Sequence, residues 1–315
     1  MRRAPEAGIL GTMHAVQIYQ ILNHYTPREE LDPGFAVLDN SANERPDWFE
    51  YWPIRRFLLN EALDENTFYG FLSPKFKLKT SLDSAAVREF ILAADPAVDV
   101  VLLSPSIHNS AYYWNVFEHG DAEHPGLKNV AQALFERLGL SSDLDSLVSD
   151  SRNTVHSNYF IAKPRFWRSW LAINEKMYAI AETPGDALGE ALCAPTTYRG
   201  GTQVQMKIFV MERIATWLLT HGALISGGPG PFVARVRDPF VARSRIYKLP
   251  IAIVCDALKM AYATEGRSQY KDVFLLIRNL HKFLNFQIRL GGALGFRRVA
   301  PTLRVLKSYW VQDGR

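Results

Sequence analysis

Strand-like and helix-like segments alternate through the first two-thirds of this chain, and that alternation limits the fold more than any other feature. The segment DVVLL at 99–103 is apolar after its first residue and is stopped by Ser104-Pro105, which is typical of a strand buried on both faces. Other strands are predicted at 16–19, 35–38, 67–72 and 158–162, and helices at 84–94, 127–138, 164–181 and 202–221. This order predicts an α/β sheet with helices on both faces, whose ligands bind beyond the carboxyl ends of the strands.

The Gly- and Pro-rich stretch at 226–231, SGGPGP, predicts a linker. Two helical patterns follow it, at 251–262 and 270–289. We therefore expect an α/β domain at 1–225 and a mainly helical, basic C-terminal region at 226–315.

Charge is unevenly distributed although the net charge of the 315 residues is only +4. From Arg235 to Arg315 there are 16 Lys and Arg against 5 Asp and Glu, whereas the rest of the chain has 20 basic and 27 acidic residues. A basic segment beside an acidic body predicts an anionic partner, either a membrane surface or nucleic acid. The segment carries no motif known to read nucleic acid, so we expect no nucleic-acid partner.

Two cysteines cannot form a disulfide framework, which fits a reducing cytoplasm. The N-terminal segment lacks the apolar run of a signal peptide, and no window approaches 18 uncharged apolar residues. We therefore expect a cytoplasmic protein without a transmembrane helix.

Polar side chains follow two of the predicted strands. Asp39 and Asn40 could bind a ribose or a metal ion, and the alternative is an Asx turn with local hydrogen bonds. Lys75, Lys77 and Lys79 would share one side of an extended segment, where they could neutralise a diphosphate. The alternative for the lysines is a solvated edge that discourages strand pairing.

The stretch from Leu38 to Thr80 mixes aromatic rings with charged and amide side chains, a combination that suits sugars, whose hydroxyls need polar partners. Its order resembles a family of bacterial glycosyltransferases from capsule and O-antigen clusters. The matching residues within roughly 14–222 are Asn43, Glu50-Tyr51-Trp52, Tyr69-Gly70, Ser73-Pro74-Lys75-Phe76, the strand from Ser157 to Lys163, Gln203, Phe209 and Met211-Glu212-Arg213.

The resemblance implies a GT-A-like, Rossmann-type mixed sheet flanked by helices. It also implies a nucleotide-sugar donor and a cell-surface glycan or lipid-linked acceptor, and it makes Glu212 a site residue. The rival interpretation is a non-catalytic nucleotide- or glycan-binding protein of the same fold, because fold does not determine activity.

Three residues are the candidates for catalysis. Glu212 lies on an apolar helix, where a carboxylate needs a partner, and its alternative role is an ion pair with Arg213 or Lys207. His119 and Asp121 belong to a dense cluster at 115–124, which we interpret as a loop that touches donor or acceptor. The alternatives for that cluster are a structured surface loop or a metal site.

A divalent metal, Mn or Mg, remains open as a cofactor, but no Asp-x-Asp follows a strand. The only such motif, Asp143-Leu144-Asp145, follows a helix and is interpreted as a polar cap. The remaining candidates for binding donor or substrate are Asp39, Asn40, Asn43, Tyr51, Tyr69, Ser73, Lys75, Lys79, Asn115, Asn158 and Gln203.

The stretch from His281 to Trp310 mixes large apolar residues with Lys and Arg. Such a mixture is typical of segments that bind an anionic membrane surface. We expect it to hold the protein peripherally on the inner face of the cell membrane.

Overall fold

The computed structural model describes residues 15–105, 110–140, 143–197, 202–221, 231–237 and 249–293, with side chains in the last range up to Phe283. The chain divides into a first unit, Met1–Ser244, and a second unit, Arg245–Arg315. The first unit extends beyond the predicted boundary at residue 225, because a strand at Ala234–Val236 belongs to its sheet. The predicted linker lies almost entirely outside the described residues.

The first unit is a mixed α/β structure. Its strands are β1 (Ala15–Asn23), β2 (Ala36–Asn40), β3 (Thr67–Leu72), β4 (Val100–Leu102), β5 (Phe160–Ala162), β6 (Pro195–Thr197), β7 (Gln203–Gln205) and β8 (Ala234–Val236). Its helices are α1 (Tyr51–Asn60), α2 (Phe76–Thr80), α3 (Ser84–Leu92), α4 (Val116–Glu123), α5 (Leu127–Arg137), α6 (Pro164–Ala181), α7 (Ala187–Cys193) and α8 (Met206–His221). Short 3-10 turns cover Arg28–Glu30, Pro46–Trp48 and Ser110–Tyr112.

Six strands form one sheet in the order β2-β1-β3-β5-β4-β8. β5 runs antiparallel to β3 and β4, and the other neighbouring pairs are parallel. The start of β5 therefore lies at the same edge as the carboxyl ends of β3 and β4. Residues that precede β5 can thus join a site at that edge.

Both faces of the central strands are buried, as the sequence predicts for 99–103. Side chains alternate along β3, so that Tyr69 and Phe71 pack in one apolar cluster and Phe68 and Leu72 pack in the other. α6 covers the first cluster and α3 covers the second. Each such buried side chain contributes about 1.5–3 kcal/mol to folding, so helices on both faces are part of what holds the sheet together.

Three segments differ from the local structure predicted for them. The residues after β3 form the short helix α2 rather than an extended segment, so the three lysines do not line one side. The predicted loop at 115–124 is mostly α4, because Asn115 caps a helix there. The predicted helix at 202–221 begins only at Met206, and Gln203 lies on β7, which pairs with β6.

The second unit contains α9 (Leu249–Glu265) and α10 (Ser268–Ala293), which pack against each other. Gly266, with φ of 70°, supplies the left-handed residue that the turn between them needs. Among the described helices of the chain, none combines the length and the apolar character needed to cross a membrane.

Candidate functional site

The turn that follows β3 is held in place by buried polar contacts. The Ser73 hydroxyl lies 2.5 Å from the Tyr159 hydroxyl, and both residues are buried. The side-chain amide of Gln20 on β1 donates to the carbonyls of Ser73 and Pro74, at 3.3 Å each. These contacts fix the backbone that presents Lys75 at the carboxyl edge of the sheet.

Lys79 connects this turn to the residues that precede β5. Its ammonium donates to the Ser157 hydroxyl at 3.1 Å and lies 5.3 Å from the centre of the Tyr159 ring. Ser157 and Asn158 both adopt left-handed backbone, with φ of 58° and 52°. Two consecutive residues in this region store strain, which proteins often hold at functional sites.

Asn158 presents a buried acceptor at the same edge. Its side-chain carbonyl oxygen is shielded from solvent and accepts no hydrogen bond from any residue that the structure describes. Burying such an oxygen unpaired costs about 1–3 kcal/mol. A ligand that donates an N–H or O–H there would remove that cost.

Glu50 is a carboxylate at the start of α1 whose acidity is strongly altered. It follows Phe49, which has φ of 46° and ψ of −129°, an unusual conformation for a bulky residue. The pKa of Glu50 is raised to about 7, mainly by burial and in part by the charge of Glu212, although the charges of Lys79 and Lys75 oppose the increase. Part of the residue still reaches solvent, so a substrate could contact it.

Glu212 on α8 is the second carboxylate of this group. Burial raises its pKa, and the charges of Arg213 and Lys79 oppose that effect. Within the described ranges, no basic side chain makes a salt bridge with Glu212.

The ion pair proposed as the alternative role of Glu212 is therefore not formed. Lys207 donates instead to Asp47 at 2.9 Å. Arg213 donates to the carbonyls of Val116 and Phe209. We refer to Glu50, Glu212, Lys75 and Lys79 as the carboxylate–lysine cluster.

His156 lies on the segment that leads into Ser157, and His119 of α4 lies beside it. The backbone N–H of Val155 donates to the hydroxyl of Thr216, which lies one turn beyond Glu212 on α8. His156 follows, with its ring 2.9 Å from the Ser110 hydroxyl and its ring centre 5.6 Å from that of His119. The structure therefore brings His119 next to the chain segment that reaches the carboxylate–lysine cluster.

Other sequence candidates occupy local structural roles. The Asp39 carboxylate accepts the N–H of Ser41 at 2.8 Å, which is the Asx turn considered as the alternative, and this bond lowers the pKa of Asp39. Asn40 is buried at the end of β2, and its carbonyl accepts the N–H of Asn43, whose φ is 47°. Asp39 is thus a turn former, whereas Asn40 lies at the edge of the sheet.

The two candidate tyrosines are buried in the core rather than exposed to a ligand. The Tyr51 hydroxyl donates to Glu175 at 2.5 Å, and burial followed by this contact raises the pKa of Tyr51. Tyr69 lies in the middle of β3, and its hydroxyl accepts the N–H of Asp64 at 3.0 Å. Both rings pack in the apolar cluster under α6.

Asn115 and Asp121 serve as helix caps. The Asn115 side chain accepts the N–H groups of Phe117 and Glu118 and donates to two backbone carbonyls. The Asp121 carboxylate accepts two N–H groups around the start of α5, each at 3.1 Å. Gln203, on β7, is exposed.

The Asp-x-Asp motif also has a structural role. The Asp143 carboxylate accepts the N–H of Asp145 in a turn, and Asp145 pairs with Lys128 at 2.5 Å. In the part of the chain described, no group of three or more His, Cys, Asp or Glu is arranged to hold a metal ion.

Comparison with protein-family models, with curated proteins and with solved structures finds no match to this chain.

Several site residues were not selected from the sequence. Glu50 enters the sequence analysis only through the family resemblance, because its altered pKa arises from burial and from charges distant in sequence. Gln20 is flanked on β1 by apolar and aromatic residues, which is the pattern of a buried hydrogen-bonding side chain. Tyr159 appears in the sequence analysis only as part of the strand that carries the resemblance, and His156 is not selected there.

Proposed function

We propose that this protein is a glycosyltransferase that moves a sugar from a nucleotide-sugar donor to a cell-surface glycan or lipid-linked acceptor. The observation that carries the proposal is the carboxylate–lysine cluster at the carboxyl edge of the sheet, where ligands of α/β sheets bind. Perturbed carboxylates beside cations in such a position are typical of functional sites.

The chemistry of the cluster fits glycosyl transfer. The acceptor hydroxyl loses its proton to Glu50 as its oxygen bonds to the anomeric carbon, and the bond from that carbon to the diphosphate breaks. A base with a pKa of about 7 is suited to this proton transfer at neutral pH. Lys75 and Lys79 neutralise the diphosphate that leaves, and Glu212 orients the acceptor.

The proposal includes the type of fold and the residues that would bind the donor and the acceptor. The mixed sheet, with one antiparallel strand among parallel ones, is compatible with a GT-A-like fold. Asn40 and Asn158 offer amides at the edge for donor hydroxyls, and Ser73 holds the turn beneath them. His119, whose ring lies beside that of His156, is assigned to the acceptor side, and Mn or Mg would enter with the donor diphosphate.

The acceptor determines where the protein would work. A lipid-linked glycan places the enzyme in the cytoplasm, peripherally on the anionic inner face of the membrane. Nucleic acid has no part in this reaction.

Titration with a panel of nucleotide sugars, with and without manganese, tests the proposal. We expect one donor class to bind and to release nucleotide, slowly to water and faster with an acceptor glycan. Glu50→Gln should retain donor binding and lose turnover by about 100-fold or more, as expected for loss of a general base. Glu89→Gln, an exposed change on α3, is the matched control.

Binding without nucleotide release, by the wild type and Glu50→Gln alike, would favour the non-catalytic binding protein. Absence of binding to every nucleotide sugar would refute the proposal.

A further inference from the structure

Large apolar side chains are exposed along one side of the second unit. Val273, Leu276, Leu280 and Phe283 recur on α10 at spacings of three, four and three residues, which places them on one helix face. Their exposed fractions are 42%, 66%, 55% and 56%. A row of this kind differs from single exposed apolar residues, which are common on any protein surface.

The exposed row continues onto α9. Val254 of α9 and Leu280 of α10 line the same groove, together with Ile251 and Ile277, and the groove wall is almost wholly apolar. We call Val254, Val273, Leu276, Leu280 and Phe283 the apolar hairpin face, and its continuity marks it as an interaction surface.

The basic residues of the C-terminal segment indicate which partner this face binds. The segment from Arg235 onward carries 16 basic and 5 acidic residues. On the hairpin itself Lys282 is exposed, and so is Arg267, which pairs with Glu265. A second copy of the chain would bring two such basic segments together, which like charges oppose. An anionic lipid surface offers both an apolar layer and negative headgroups.

We propose that the apolar hairpin face inserts into the interfacial layer of an anionic bilayer. The two helices lie along the surface, the leucines and Phe283 enter the acyl boundary, and the Lys and Arg side chains reach the headgroup phosphates. This location differs from the membrane segment expected from the sequence, His281 to Trp310, most of which lies outside the residues whose side chains are described. The inference rests on the proposed function in one respect: a lipid-linked acceptor would explain why the protein meets a membrane.

Vesicle co-sedimentation of the full-length protein tests the inference without requiring turnover. The probes are vesicles of phosphatidylcholine alone and vesicles that also contain phosphatidylserine, at low and high salt. We expect binding to the anionic vesicles only, weakened by salt. Leu276→Gln and Leu280→Gln should each weaken it by about 10-fold, because each removes a buried leucine from the bilayer.

Leu59→Gln is the matched control, since Leu59 lies on α1 of the first unit and is 51% exposed. It should bind vesicles like the wild type, and circular dichroism should show that all variants are folded. Hydrogen exchange with anionic vesicles should protect backbone amides of α9 and α10.

Three results would overturn the inference. The first is unchanged binding by the two leucine variants. The second is a wild-type protein that ignores anionic vesicles. The third is a dimer at micromolar concentration that the leucine substitutions dissociate, which would assign the face to self-association. A vesicle-binding protein that fails to turn over nucleotide sugars would refute only the proposed function.

Discussion

Replacing Glu50 with glutamine should stabilise the protein at alkaline pH while removing the proposed transferase activity. The pKa of Glu50 is raised from 4.5 to about 7, so the folded state retains a proton that the unfolded state has already lost. Ionised Glu50 therefore costs folding free energy above pH 7, and the cost disappears as the pH falls toward 4.5. The difference between the two pKa values corresponds to about 3 kcal/mol at pH 8 and less than about 1 kcal/mol at pH 5. Glutamine has no charge to desolvate at either pH.

Thermal unfolding of the wild type and Glu50→Gln from pH 5 to pH 8 measures this effect. We expect nearly equal melting temperatures at pH 5 and a variant that melts several °C higher at pH 8, at roughly 2–4 °C per kcal/mol for a domain of this size. Glu89→Gln, on the exposed side of α3, should show no such divergence. A Glu50→Gln difference that does not change with pH, or a variant less stable at pH 8, would refute the assignment of a desolvated carboxylate.

Three further predictions concern the same site and its supports. Lys79→Met should raise the pKa of Glu50 further, because it removes a positive charge that favours the carboxylate. The acidic limb of the pH–rate profile should then move to higher pH. If this limb does not move, Lys79 does not act on Glu50. Glu212→Gln should lower the pKa of Glu50, because it removes a like charge beside it, so the acidic limb of the pH–rate profile of the remaining activity should move to lower pH. A move to higher pH would contradict this electrostatic arrangement. Asn115→Ala should lower the free energy of unfolding by about 2–3 kcal/mol, since it removes an N-cap and leaves buried carbonyls unpaired. Urea denaturation of Asn115→Ala measures that loss, and a change below about 0.5 kcal/mol would show that water replaces the cap.

The elements that could be predicted from sequence are those with strong local patterns. β3 was predicted with its observed bounds, and the buried strand near residue 100 was recognised from its unbroken apolar run. Pro164 was correctly expected to open a helix, because its fixed φ suits the first turn. These features depend on neighbouring residues alone.

The segments that were missed depend on contacts between distant residues. Lys75 to Lys79 has the spacing of an extended chain, yet Phe76 packs into the core and the segment closes a helical turn to bury it. Asn115 was predicted to be a site residue, but its side-chain amide donates to the backbone carbonyls of Leu144 and Leu147. Tyr51 and Tyr69 were predicted to bind donor or substrate, but both rings are buried under α6.

The site shows the same division. Glu212 was selected through the family resemblance and its place on an apolar helix, whereas Lys79 was selected separately as part of a basic turn. Glu50 could not be selected, because its high pKa arises from burial and from Glu212, which is distant in sequence. Tertiary proximity of this kind leaves no mark on a single sequence.

The antiparallel strand also has a consequence for the order in which the molecule folds. Among the described strands, β4 pairs only with β5 and β8, so a nascent chain that ends before residue 160 has no partner for it. Until then β3 and β4 present unpaired apolar edges, which favour aggregation during synthesis. Pairing β4 with β5 joins residues that are about 60 positions apart in the chain. Such pairing is slow, because the conformational entropy of the intervening loop must be lost before the strands gain contacts. Ser157 and Asn158 precede that strand, so the proposed ligand-binding edge forms in the same step that protects the chain from aggregation.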